Sequence, residues 1–97
     1  MITVKNTSGA PIEVSINRWG TGGSTEFFTI QDGKDENWDR TDDRGFVMSV
    51  NKSGTTTPYY VLYNSNIDIT KGTVKDLTYN VNLKPANSSY TTAKVES

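Results

Sequence analysis

The chain contains no cysteine and no histidine. Their absence excludes disulfides, thiolate zinc sites, and every catalytic triad or metal cluster built on imidazole. Long apolar runs are also missing, and nothing approaches the roughly 20 residues of a membrane-spanning helix. Neither sign of charge dominates. Ten Lys and Arg face eleven Asp and Glu, for a net charge of −1, too balanced to attract nucleic acid or an anionic bilayer over the whole surface. Hydrophobic residues make up only 33% of the 97 positions, yet 10% are aromatic, which argues for a folded chain. This length supports one domain with one modest core. The start Met1-Ile2-Thr3-Val4-Lys5 reads as a strand and lacks the features of a secretory signal. The expected location is cytoplasmic, or outside the cell by release without a recognisable signal peptide.

What is present is alternation. Ile2 and Val4 alternate with Thr3 and Lys5, and Ile12, Val14 and Ile16 alternate with Glu13, Ser15 and Asn17. Such a period of two marks half-buried strands. Ser8-Gly9-Ala10-Pro11 between them reads as a hairpin turn. A glycine-rich loop, Gly20-Thr21-Gly22-Gly23-Ser24, precedes a third strand over residues 26–31, and Asp32-Gly33 turns the chain. Phe46, Met48 and Val50 begin another strand. Tyr59-Tyr60-Val61-Leu62-Tyr63 is apolar or aromatic on both faces, as in a central strand or a contact surface. Ile67 and Ile69 make a short strand. Leu77, Tyr79, Val81 and Leu83 form the clearest alternating run, stopped by Pro85. The expected fold is all-β, a single-domain antiparallel β-sandwich of seven or eight short strands over residues 1–85. Residues 86–97 would add an edge strand or a mobile tail.

Few residues suggest chemistry. Residues 32–44 carry six carboxylates, Asp32, Asp35, Glu36, Asp39, Asp42 and Asp43, against Lys34, Arg40 and Arg44. A carboxylate cluster can hold Ca²⁺, but the spacing of an EF-hand loop is absent, and a solvated hairpin is the simpler reading. No cofactor is expected, with calcium as the alternative. No raised carboxylate, nucleophile–base pair or phosphate loop stands out, so catalysis is not expected.

The aromatics say more. Trp19 and Trp38 could stack on the apolar face of a sugar while Asp39, Arg40, Asp42, Asp43 and Arg44 hydrogen-bond its hydroxyls. Trp38, set between Asn37 and Asp39-Arg40, reads more readily as core or as a lid over the charged hairpin, while Trp19 suits core and surface equally. Phe27, Tyr59, Tyr60 and Tyr63 suit a membrane interface or a dimer contact. Three readings follow: a lectin-like glycan binder, a membrane-lipid binder that does not require anionic lipid, and a self-associating structural protein such as a homodimer. Nucleic acid is not among the expected partners.

The run Ile2-Thr3-Val4-Lys5-Asn6-Thr7-Ser8-Gly9, then Pro11-Ile12-Glu13-Val14-Ser15-Ile16, Trp19-Gly20, Phe27-Phe28-Thr29-Ile30 and Trp38-x-Arg40, resembles small cysteine-free β-sandwich proteins of mushroom-forming fungi. More distantly it resembles the first half of the aegerolysins, in the Asn-x-Ser opening and the Trp-Gly after the second strand. The likeness spans roughly residues 2–63. Aegerolysins are longer and bind membrane lipids, often with a partner protein that makes the pore. Their Cys-containing, Trp-rich second half has no counterpart in this chain. The resemblance implies a cytosolic fungal sandwich within a group of lectins and lipid-binding defence proteins.

Overall fold

A computed structural model describes residues 1–18 and 25–86. Nine strands form two sheets: β1 (Ile2–Thr7), β2 (Ile12–Ile16), β3 (Phe28–Ile30), β4 (Asp35–Trp38), β5 (Phe46–Lys52), β6 (Thr55–Val61), β7 (Asn66–Thr70), β8 (Val74–Asp76) and β9 (Val81–Asn82). One sheet has the order β4-β1-β7-β8-β9 and the other β3-β2-β5-β6. The all-β sandwich expected from the sequence is the observed architecture. Alternation builds its core: Ile2 and Val4, Ile12, Val14 and Ile16, Phe46, Met48 and Val50, and Ile67 and Ile69 are all buried. Residues between them on each strand face outward, as the pleat requires.

Pairing departs from expectation in four places. β1 and β2 do not form a hairpin, because they lie in different sheets. The turn between them carries the chain across the sandwich. Asn6 holds that crossing: its buried amide donates to the carbonyls of Ala10 (2.7 Å) and Ile30 (2.8 Å). Its Oδ1 accepts from the amide and hydroxyl of Ser8. The second departure is that β1 pairs with β7 in parallel, while the other pairings among the described residues are antiparallel. Four intervening strands of the other sheet and β4 separate β1 from β7 in the chain, so the long connection a parallel pair needs is available.

Third, part of the acidic stretch is a strand. β4 pairs antiparallel with β1 at the sheet edge, where only Trp38 is buried and Asp35, Glu36 and Asn37 remain exposed. Polar outward residues and an unpaired edge leave little apolar signal to read. Conversely, Tyr59, Tyr60 and Val61 end β6, an edge strand that also contains Pro58, which an edge tolerates, and Leu62 and Tyr63 lie in the turn that follows.

The largest departure concerns residues 77–83. They are not one inward-facing strand: residues 77–80 form a turn, and Leu77, Tyr79 and Val81 are each 45–49% exposed. Asp76 Oδ1 accepts the Thr78 amide (3.1 Å), and Asn80 adopts a left-handed backbone with φ of 54°. Both are turn chemistry that outweighs the alternating pattern. Leu83 alone of the four packs partly against the core. Trp19, the loop from Gly20 to Ser24 and the tail over residues 87–97 lie outside the described residues.

Candidate functional site

The residues proposed to grip a glycan do not gather at one surface. Trp38 is a core residue, 4% exposed, with its ring set edge-on to Phe28 at 6.0 Å between centroids. Its faces are covered, so it cannot serve as a stacking platform. Arg40 is also buried. Its Nη2 donates to the Ile16 carbonyl and its Nε to the Asn17 carbonyl, both at 3.0 Å. These bonds tie the β4–β5 connection to the end of β2. Burial and the nearby Arg18 push the Arg40 guanidinium below its usual value, against the pull of Asp39. Arg40 is therefore structural.

Asp39, Asp43 and Arg44 stay exposed, and Asp42 is half-buried. Arg44 binds Asp42 with both Nε and Nη2, the latter at 2.6 Å. The Asp42 carboxyl sits below its ordinary value because it accepts these bonds and the Arg44 backbone amide. Among the described residues, no three carboxylates converge on a point. No helix among them is long and apolar enough to cross a membrane.

The second group of candidates is also divided. Phe27 is exposed beside β3, and Tyr63 is exposed in the β6–β7 turn. Tyr59 packs partly against the core, and burial raises its phenol above the usual value. Tyr60 is the most exposed of the described tyrosines, at 65%. It lines a cleft that the sequence did not announce.

That cleft has a volume of about 570 Å³. One wall comes from the end of β6 and the start of β5, with Phe46, Tyr60 and Leu62. The other comes from the β8–β9 segment, with Tyr79, Val81 and Leu83. Its wall residues are chiefly apolar, and Asn17, Arg44 and Asp76 supply the polar side chains.

The β8–β9 wall is fixed by a hydrogen-bond chain between two turns. The Leu62 amide donates to Ser65 Oγ (2.8 Å), and Ser65 Oγ donates to Asp76 Oδ2 (2.6 Å). Thr78 Oγ1 donates to the Asn64 carbonyl and the Tyr79 hydroxyl to Asn64 Oδ1. Asp76 is thus engaged through both oxygens. Gly45 closes one end with φ of 88°, where an added Cβ would meet the Val61 carbonyl at 3.4 Å and Leu62 at 3.5 Å.

Of the proposed ligand residues that are described, Arg44 and Tyr60 line this cleft. Leu77, Tyr79 and Val81 were read as core, so their surplus apolar surface went unrecognised. The usable signal was the Asp76-x-Thr78 turn spacing followed by Asn80. No family model, curated protein or solved structure matches this chain.

Proposed function

We propose that this protein is a non-enzymatic recognition module that binds the aliphatic part of an amphipathic lipid in the cleft between β6 and the β8–β9 segment. The observation that carries this reading is the convergence of exposed apolar residues from both sheets on one concave site of about 570 Å³. Single exposed apolar residues are ordinary, but a concave apolar surface with a few polar groups at its rim is the usual form of a small-molecule site. Few polar side chains line it, so a sugar would find few partners for its hydroxyls. The resemblance to aegerolysins carries the same expectation of lipid binding.

A lectin-like reading rests on the open ring of Tyr60 close to Arg44 at the rim. It no longer draws on Trp38 or Arg40. Titration with a short-chain alkyl glycoside and with its free sugar separates the two. Lipid binding gives a saturable response to the alkyl glycoside, silence with the free sugar, and loss of binding in Tyr60→Asp. A free-sugar response matching that to the alkyl glycoside would overturn it, whether or not Tyr60→Asp removes that response.

A further inference from the structure

A second cleft of about 280 Å³ meets the apolar one at Leu83, which lines both; Lys52, Tyr59, Lys71, Thr73 and Asn82 also line it. On β5, Phe46 lines the first cleft and Lys52, six residues on, the second, with Met48 and Val50 buried between them. A groove running through both clefts would be about 20 Å long at the rise of an antiparallel strand. The two clefts differ in charge. Among the described residues, the second is lined by two lysines and no carboxylate. At the apolar end Asp42 neutralises Arg44, and Asp76 is engaged by Ser65 and Thr78.

Lys52 is positioned. Its Nζ donates to the Thr70 carbonyl at 3.0 Å, which anchors the ammonium at the mouth of the second cleft and leaves two further donors. Lys71 follows in the β7–β8 turn and is exposed. A net charge of −1 over the whole chain does not cancel this pair, because charges beyond about 8–10 Å are screened at physiological salt.

We propose that the groove binds a single-tailed anionic amphiphile, its tail along Phe46, Tyr60, Tyr79 and Val81 and its anionic head between Lys52 and Lys71. This rests on the apolar-cleft reading above and adds the head group. It also replaces the expectation that binding is indifferent to anionic lipid: the local pair of lysines decides, not the net charge.

The test is calorimetric titration of the full chain with laurate, dodecyl maltoside and dodecyltrimethylammonium, each below its micelle concentration. Laurate should bind at least tenfold more tightly than the neutral maltoside, and the cation most weakly. Dodecanoate should bind about tenfold more tightly than decanoate, since each buried methylene contributes about three- to fourfold. The double variant Lys52→Gln, Lys71→Glu should erase the preference for laurate and leave maltoside binding unchanged. Unchanged maltoside binding doubles as the check that the variant is folded.

Equal affinity for laurate and maltoside in the parent protein would overturn the anionic head and leave the apolar cleft standing. Absence of binding by all three would overturn both. Association with laurate only as micelles or vesicles would also overturn the proposal, because the groove admits one tail at a time.

Discussion

At the residue scale, three polar side chains hold positions where composition alone suggests nothing special. Asn6 sits on the buried face of β1, and all its hydrogen-bonding capacity is used within the protein. Asn6→Ala would remove the buried donors to the Ala10 and Ile30 carbonyls and the acceptor of the Ser8 amide, and urea unfolding should show a loss of about 2–3 kcal/mol with an unchanged slope. Arg40→Met orphans the Ile16 and Asn17 carbonyls in the same way, with an expected loss of about 2–4 kcal/mol. Glycan affinity of the parent would not be the cause of that loss, since the guanidinium faces carbonyls inside the protein. Asp42 gives a pH prediction. Its folded value lies below the ordinary carboxylate value, so its contribution to stability is present above that ordinary value and fades as pH falls through the depressed one. A carboxyl-carbon NMR titration should show the Asp42 midpoint rising part of the way toward the ordinary range in Arg44→Gln, since the backbone amide of residue 44 still donates to it. An unmoved midpoint would mean that Arg44 is not its partner in solution. The pairing of Arg44 with a neighbouring carboxylate was legible from the sequence, since Asp42 stands two residues away. The roles of Asn6 and Arg40 were not, because each depends on which distant carbonyl the fold delivers.

At the element scale, alternation was a reliable guide where side chains of one strand had a whole opposite sheet to bury against. Ile12, Val14 and Ile16 illustrate this, as do Phe46, Met48 and Val50. It failed at residues 77–83 for a stated reason: Asp76 and Asn80 close a turn, and a turn reverses the chain before the pattern can be used. The turn makes a direct prediction. Asn80→Gly should be neutral within about 0.5 kcal/mol, whereas Asn80→Val should cost about 1–2 kcal/mol in thermal or urea unfolding, since a β-branched residue is strained at positive φ. Similar costs would show that the left-handed turn is not the solution conformation. Partnership between strands was less legible than strands themselves. Ser8-Gly9-Ala10-Pro11 suits a hairpin or a sheet crossing equally well, and what decides is Asn6, anchored to β3 through Ile30.

For the whole molecule, the two ends of the strand order matter most. The β4 edge is polar, with Asp35 and Glu36 exposed on a strand paired on one side only, and such charges discourage edge-to-edge pairing. Replacing both with Val should produce concentration-dependent association in light scattering, at little cost to the folded state. A double variant that stays as dispersed as the parent would show that those charges do not guard the edge. The opposite side of the sandwich is where β6 and the β8–β9 segment leave the groove open. Its residues come from position 17 and from positions 44–62 and 71–85, which explains why no local motif marked it. Tyr60 was singled out for its exposure, but its partners Tyr79 and Val81 were assigned to the core. The most direct measurement is a methyl and amide NMR titration with laurate below its micelle concentration. Binding in the groove predicts saturable shifts at Leu62, Val81 and Leu83 together with Lys71 and Thr73, and quiet signals along β3 and β4. Shifts confined to residues 39–44, or none at saturating laurate, would contradict it.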